Sequence, residues 1–142
     1  MKSKVLIVED DGIIYETIRN ELDSDFETVR ASSYAAAIGR WKREGESFDC
    51  IVLDLLINPL GLELKKIDEY TPLFGMAVLD AFTKEKSKEE MLQIRKKTII
   101  YSGYTRELRD RDFDTKNLEI IAKEGNSIKE LIERIKAICS KY

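Results

Sequence analysis

Four short, almost purely apolar runs constrain the fold of this 142-residue chain more than any other feature. Each is rich in β-branched residues, and continuous apolar runs of this length are typical of strands covered on both faces, as in a parallel sheet. A fifth and more mixed run, residues 26–30, is predicted to be an edge strand. The four apolar runs are residues 5–8, 51–53, 98–101 and 120–122.

Amphipathic helical patterns lie between the runs. Apolar residues recur at helical spacing in the intervening stretches, and capping boxes are predicted at Ser87 with Glu90 and at Ser127 with Glu130. Since strand and helix alternate along the chain, we predict a doubly wound α/β sheet with right-handed crossovers. The length is that of one domain, which we assign to residues 1–142.

The connection after the second apolar run is unusually long. Residues 58–74 contain both prolines of the chain, Pro59 and Pro72, and show no clear helical or strand periodicity before a helical pattern resumes at Gly75. Such a segment is uncommon in a compact domain and indicates either a functional loop or a mobile one. We therefore predict an inserted loop at residues 58–74.

Chemically active side chains directly follow the four apolar runs. Glu9 and Asp10 follow the first, Asp54 the second, Ser102 the third and Lys123 the fourth. Because the carboxyl ends of parallel strands lie on one edge of the sheet, we expect these side chains to meet there. Each has an ordinary explanation when taken alone, but three carboxylates, a hydroxyl and an ammonium form a complete chemical set.

The expected set of side chains suits phosphoryl transfer. Three neighbouring carboxylates repel one another by a few kcal/mol per pair at an effective dielectric of about 20, so a cation must offset them. A hard divalent ion such as Mg²⁺ satisfies this need best. Asp54 could then accept a phosphoryl group as an acyl phosphate, while Lys123 and Ser102 contact the phosphoryl oxygens.

Composition excludes several other functions. The sequence contains no histidine, which removes Ser-His-Asp and Cys-His catalysis, histidine-ligated zinc and any role as a histidine phosphodonor. The 24 basic and 27 acidic residues form no basic stripe, so direct nucleic-acid binding is not expected, and no apolar run is long enough to cross a membrane. Cys50 and Cys139 lack CxxC spacing, and with no signal peptide they indicate the cytoplasm.

The strand-end groups lie in four segments: KVLIVEDD at residues 4–11, FDCIVLDL at 48–55, IIYSG at 99–103 and IIAK at 120–123. In this order they resemble the receiver domain of bacterial two-component response regulators, and the resemblance covers nearly all of the chain. It implies a flavodoxin-like fold, with five parallel strands in the order 2-1-3-4-5 and an insertion after the third strand.

The resemblance also implies roles for the strand-end residues. Asp54 would be the phosphoacceptor, with Ser102 and Lys123 contacting the transferred group. The protein would be a self-catalysing phosphoacceptor rather than a turnover enzyme. The implied Mg²⁺ ligands are Glu9, Asp10, Asp54 and the backbone carbonyl of Leu56.

The implied partners are proteins. A histidine kinase or a histidine phosphotransfer protein would supply the phosphoryl group from a phosphohistidine. We expect a stand-alone receiver, since little chain remains after a last helix that ends near Tyr142. Signalling would then pass to a downstream protein or through a homodimer, by way of residues 106–112 and the last helix.

The chain departs from the receiver pattern at three places. Pro59 stands five residues after Asp54 instead of four. Lys123 is followed by Glu124 instead of proline, and because a cis peptide before a non-proline residue costs about 2.5–4 kcal/mol, we predict a trans peptide and a shifted loop. Ile120 stands where the family has an aromatic residue that moves with the switch hydroxyl.

Two bulky residues are predicted to modulate the lifetime of the phosphorylated state. Leu56 lies two residues after Asp54, and Tyr104 lies two residues after Ser102. Both are expected to flank the path of water to the acyl phosphate and to slow its hydrolysis.

Two alternatives belong to other functional classes. A receiver-like interaction module that works without phosphorylation would account for the departures and for the insertion. A phosphatase or nucleotide-cleaving enzyme of related topology would need an Asp-x-Asp pair after the first strand or a glycine-rich phosphate loop. The chain has neither motif.

Overall fold

A computed structural model describes residues 2–140 and shows a five-stranded, all-parallel sheet with the order β2-β1-β3-β4-β5. The predicted fold class and strand order are therefore confirmed. The mixed run at residues 26–30 forms one edge of the sheet, as expected. The strands are β1 Ser3–Val8, β2 Phe26–Ala31, β3 Cys50–Leu53, β4 Thr98–Ser102 and β5 Glu119–Ala122.

Helices cover both faces of the sheet. The last helix was expected to end near Tyr142, which lies outside the described residues; the described helix ends at Cys139. No helix within residues 2–140 is both long enough and apolar enough to cross a membrane. The helices are α1 Gly12–Glu21, α2 Tyr34–Glu44, α3 Leu64–Tyr70, α4 Phe74–Thr83, α5 Lys88–Lys96, α6 Thr105–Asp110 and α7 Ser127–Cys139.

Alternate residues of each central strand enter two separate cores, which explains why the runs are continuously apolar. On one face, Leu6 and Leu53 pack in a cluster with residues of α2 to α6. On the other face, Ile7 and Val52 pack with α1 and α7. The sheet is therefore held between two helical layers, and its carboxyl edge is left to the loops that follow the strands.

One of the two predicted capping boxes forms. The Ser87 side chain accepts a hydrogen bond from the Glu90 amide and the Glu90 side chain accepts one from the Ser87 amide, which fixes the start of α5. The prediction of a capping box at Ser127 and Glu130 was wrong. The Ser127 hydroxyl instead accepts from the Glu124 amide and shares a hydrogen bond with the Tyr101 hydroxyl, so tertiary contacts take the place of the cap.

The segment 58–74 is more ordered than an irregular loop. Contrary to expectation, it contains the seven-residue helix α3. Its beginning is joined to the start of α2, where the Tyr34 amide donates to the Asn58 carbonyl over 2.9 Å and the Ala35 amide donates to the Leu60 carbonyl over 2.8 Å. The weak apolar periodicity of so short a helix explains why the sequence pattern did not reveal it.

The far end of the same segment is attached to the chain that follows α6. The Arg111 guanidinium donates to the Glu69 carbonyl over 2.6 Å and to the Thr71 carbonyl over 2.8 Å. The ring of Tyr70 stacks on Phe113 with 5.9 Å between centroids. Residues 58–74 thus connect the carboxyl edge of the sheet, next to the start of α2, to the region after α6.

Candidate functional site

Side chains from three strand ends meet at the carboxyl edge of the sheet. The Lys123 ammonium lies 2.7 Å from Glu9 Oε1 and 2.9 Å from Asp54 Oδ2. Glu9 and Asp54 are almost fully buried, with 2% and 6% of their surface exposed. The residues at the ends of β1, β3 and β5 therefore form one connected polar group, although they lie far apart in sequence.

The sheet itself sets this geometry. The Glu9 amide donates to the Ala31 carbonyl and the Asp54 amide donates to the Val8 carbonyl, each over 3.0 Å. The Lys123 amide donates to the Ser102 carbonyl over 3.0 Å. Each functional residue is thus one step beyond its strand but still in the hydrogen-bond ladder, which fixes its position while its side chain projects from the edge.

Three carboxylates of this group are placed to share a cation. Glu9, Asp10 and Asp54 each offer an oxygen, and these atoms lie within 4.8 Å of one another. Three carboxylates and the Lys123 ammonium leave a formal charge of minus two, which a divalent ion would neutralise. Oxygen donors of this kind are those that Mg²⁺ prefers, so the donor set suits that ion.

Burial and mutual repulsion perturb the acidic residues. Burial, followed by the charge of Asp54, raises the pKa of Glu9 to about 7, although the hydrogen bond from Lys123 opposes the change. The pKa of Asp10 is also raised, first by burial and then by Asp54. Both shifts reflect carboxyl groups that are buried and lie close to one another.

Lys123 is held as a cation by its acidic neighbours. Burial alone would lower the pKa of its ammonium, but hydrogen bonds to Glu9 and Asp54 outweigh burial and raise it. The ammonium also lies 5.6 Å from the centroid of the Tyr101 ring, on β4. Lys123 therefore remains charged at neutral pH and partly offsets the carboxylates.

The other predicted site residues make different contacts. Ser102 is fully buried at the end of β4, and its Oγ accepts a hydrogen bond from the Tyr104 amide over 3.2 Å. The Leu56 amide donates to Asp54 Oδ1 over 3.3 Å, and the Leu56 side chain is 40% exposed. The proposed roles of Ser102, Leu56 and Tyr104 stay predictions.

The start of α4 contacts the backbone of the predicted phosphoacceptor. The Gly75 amide donates to the Leu55 carbonyl over 2.9 Å. A Cβ atom placed on Gly75 would lie 2.2 Å from the Asp54 carbonyl oxygen and 3.0 Å from Leu55 Cα. Only glycine allows this approach, so α4 packs directly beneath the loop that carries Asp54.

Two of the departures noted in the sequence can be located. Within residues 2–140 the only cis peptide joins Thr71 and Pro72, so the Lys123–Glu124 peptide is trans, as predicted. Ile120 lies on the edge strand β5 with 38% of its surface exposed.

Sequence reasoning missed an arginine at this edge. Arg30, near the end of β2, donates from Nε to the Glu9 carbonyl over 3.1 Å and from Nη2 to the Asp10 carbonyl over 2.9 Å. The strand pattern placed residue 30 on an edge strand but gave no sign that its side chain reaches the neighbouring turn. The sequence analysis gave Asp11 no role, and the structure shows that its side chain caps α1 by accepting from the amides of Ile13 and Ile14.

Comparison with known proteins by sequence finds nothing. No family model matches the chain, and no curated protein matches it. The information about relatives therefore comes from three-dimensional structure.

Solved structures resemble the chain over almost its whole length. A CheY-like response regulator receiver domain protein from Methanospirillum hungatei JF-1 has a TM-score of 0.68 and 21% identity, covering 99% of this chain and 96% of its own. The non-phosphorylated HemR receiver domain from Leptospira biflexa has a TM-score of 0.67 and 22% identity, and the match covers 98% of this chain and 95% of that domain. The receiver domain of the Francisella response regulator 1452 has a TM-score of 0.66 and 20% identity, and the match covers 99% of this chain and 98% of that domain.

These likenesses establish the fold. The chain has the fold of CheY-like response regulator receiver domains, as the sequence resemblance implied. The acidic group Glu9, Asp10 and Asp54 lies at the carboxyl edge of that fold, where parallel α/β sheets bind their ligands.

Proposed function

We propose that this protein is a phosphoacceptor in signalling, which takes a phosphoryl group onto Asp54 in a Mg²⁺-dependent reaction. The observation that carries the proposal is the contact of Lys123 with both Glu9 and Asp54, beside Asp10, at the carboxyl edge of a receiver fold. This arrangement supplies a nucleophile, a set of oxygen ligands and a fixed cation within one site.

In the proposed step, a carboxylate oxygen of Asp54 attacks the phosphorus of a phosphohistidine on a partner protein. The bond between phosphorus and the imidazole nitrogen breaks, the imidazole leaves with the electron pair, and an acyl phosphate forms on Asp54. When bound to Glu9, Asp10, Asp54 and the carbonyl of Leu56, Mg²⁺ would neutralise charge on the phosphoryl oxygens. Because the chain contains no histidine, the donor must come from another molecule.

Lys123 and Ser102 would respond to the new group. The Lys123 ammonium, now shared between two carboxylates, would move one of its hydrogen bonds to a phosphoryl oxygen. The buried Ser102 hydroxyl would turn from its contact with the Tyr104 amide to another phosphoryl oxygen. Since that amide belongs to the loop before α6, the change would begin at the loop that leads to residues 106–112.

The proposed cycle is that of a signal carrier and not of a turnover enzyme. Water would attack the phosphorus of the acyl phosphate and release inorganic phosphate, which returns Asp54 to a carboxylate. A histidine kinase or histidine phosphotransfer protein would be the donor, and a downstream protein or a second copy would receive the signal. A cytoplasmic location is part of the proposal, supported by two free buried thiols, Cys50 and Cys139.

Labelling with acetyl phosphate tests the proposal. With Mg²⁺ present, the intact mass of the wild-type protein should rise by one phosphoryl group, because acetyl phosphate can replace the phosphohistidine as donor. Asp54→Ala should show no such increase, and neither should the wild type with excess EDTA. Asp68→Ala, which removes an exposed carboxylate on α3, is the matched control and should label normally.

A receiver-like interaction module is the second candidate. Ile120, which is 38% exposed, stands in place of the aromatic residue of the receiver pattern. This difference favours a module that works without phosphorylation. Failure of the wild type to gain phosphoryl mass, in a sample that binds Mg²⁺ and is folded, would favour this module over the phosphoacceptor.

The lifetime of the acyl phosphate tests the role of Tyr104. We expect Tyr104→Ala to shorten its half-life about threefold, equivalent to about 0.6 kcal/mol in the barrier, because a smaller side chain opens the path of water. Intact mass followed over time after removal of acetyl phosphate measures the half-life. Tyr104→Phe keeps the bulk and should decay at the wild-type rate; equal half-lives for all three proteins would contradict the role.

Amide spectra with beryllofluoride, a mimic of the phosphoryl group, test the relay. If Ser102 transmits the signal, shift changes should extend from the sheet edge through Tyr104 into α6 and residues 111–118. Changes confined to residues around Glu9, Asp54 and Lys123 would show that no relay operates. Asp54→Ala with the same reagent supplies the baseline.

A further inference from the structure

Arg30 joins the edge strand β2 to the backbone of the acidic turn. Its guanidinium donates to two successive carbonyls, those of Glu9 and Asp10, over 3.1 and 2.9 Å. These are the residues at which the chain leaves β1 and enters α1. A fork of fixed shape that binds two adjacent carbonyls restrains both the position and the orientation of that turn.

Arg30 is itself held in place. Its guanidinium carbon lies 5.7 Å from the centroid of the Tyr15 ring on α1. The Tyr15 hydroxyl is hydrogen-bonded over 3.0 Å to the hydroxyl of Thr28, which lies two residues before Arg30 on the same face of β2. The Arg30 side chain is therefore positioned by Tyr15, which links α1 to β2.

Asp10 depends on this restraint more than its neighbours do. The Glu9 carboxylate is fixed by Lys123 and by the Asp11 amide, and Asp54 is fixed by Lys123 and the Leu56 amide. In the part of the chain that the structure describes, no other residue's side chain donates to the Asp10 carboxylate. The position from which the Asp10 side chain projects is thus set by the backbone whose carbonyl Arg30 binds.

We propose that Arg30 is a positioning residue for the acidic group, which aligns Glu9 and Asp10 for a divalent cation by binding their backbone carbonyls. The inference rests on the proposed function, since that function requires Mg²⁺ at these carboxylates. Residues that orient metal ligands without touching the metal typically change metal affinity by about 10–100-fold when they are replaced.

The charge of Arg30 and its positioning role predict opposite changes in Mg²⁺ affinity when the arginine is replaced, so an experiment can distinguish them. A guanidinium close to a cation site repels the cation, so an effect of charge alone would make Arg30→Met bind Mg²⁺ more tightly. Positioning predicts weaker binding for Arg30→Met. It also predicts weaker binding for Arg30→Lys, which keeps the charge but cannot bind two carbonyls as a planar fork.

The chain contains a matched control arginine. Arg95 also donates to two backbone carbonyls, those of Lys116 and Asp114, in a different part of the fold. Arg95→Lys therefore removes a fork of the same kind without touching the acidic turn. Mg²⁺ affinity measured by isothermal titration calorimetry should fall about tenfold in Arg30→Lys and stay within twofold of wild type in Arg95→Lys.

Labelling by acetyl phosphate at increasing Mg²⁺ supplies a second measurement. Arg30→Lys should need about tenfold more Mg²⁺ for half-maximal labelling but should reach nearly the wild-type rate at saturation, since Asp54 and Lys123 are intact. Wild-type Mg²⁺ affinity in Arg30→Lys, tighter binding in Arg30→Met, or an equal loss in Arg95→Lys would each overturn the inference. If the wild type binds Mg²⁺ but is not labelled, the phosphoacceptor proposal fails while the calorimetric comparison still decides the role of Arg30.

Discussion

Replacing Gly75 by alanine is expected to lower the free energy of unfolding by about 3 kcal/mol, at the upper end of what overpacking usually costs. The new Cβ would lie 2.2 Å from the Asp54 carbonyl oxygen, which is far inside van der Waals contact. Neither partner is a flexible side chain, so α4 or the loop after β3 must move. Urea unfolding followed by circular dichroism measures the change.

Gly39→Ala is the matched control for this substitution. Gly39 lies within α2, and a Cβ there would meet only the end of the Arg43 side chain, at 3.7 Å. Alanine in an open helical position is favoured over glycine by about 1 kcal/mol, so this variant should be more stable than wild type. Similar free energies of unfolding for the Gly75→Ala and Gly39→Ala variants would show that α4 does not pack closely against the Asp54 backbone.

Lys123→Met is expected to lower the free energy of unfolding by about 3 kcal/mol in buffer with EDTA, because removing one partner of a buried ion pair leaves the other charge unpaired. Here two carboxylates, those of Glu9 and Asp54, lose the ammonium that lies within 2.9 Å of both. Mg²⁺ should restore more stability to this variant than to wild type, since it neutralises carboxylates that no longer have a cation.

Lys97→Met supplies the comparison for Lys123→Met. Lys97 is also partly buried, but its ammonium donates to a neutral acceptor, the Phe48 carbonyl, over 2.7 Å. Its replacement should cost about 1 kcal/mol and should not depend on Mg²⁺. Equal losses for the two lysines, or a Lys123→Met variant that does not respond to Mg²⁺, would contradict the electrostatic account of the site.

The fold was predictable because its signals are local. Continuous apolar runs such as residues 5–8 and 51–53 reflect burial on both faces, and each face is indeed covered by helices. The convergence of Glu9, Asp54 and Lys123 also followed from topology, because residues after parallel strands must share an edge. Their contacts depend only on strand order and on the position at which each strand ends.

Features that depend on which distant group a side chain contacts were not predictable where strand order does not fix the pairing. The hydroxyl of Ser127 bonds to Tyr101 across 26 residues, and this contact displaced the expected capping box. Arg30 lies 20 residues from Asp10, and no spacing rule links the two. The helix within 58–74 is stabilised by a distant residue, since Arg111 donates to the carbonyl of Thr71, which is 40 residues away in the chain.

The attachment of residues 58–74 at both ends has a consequence for shortened versions of this protein. Excising the segment would leave Arg111 without the two carbonyls to which it donates and Phe113 without the ring on which it stacks. Excision would also remove Tyr70 and Leu73 from the core cluster and leave the Asp80 carboxylate on α4 without the Tyr70 hydroxyl that donates to it. A minimal five-stranded version would therefore require new residues on α4 and on residues 111–113, and would not be obtained by deletion alone.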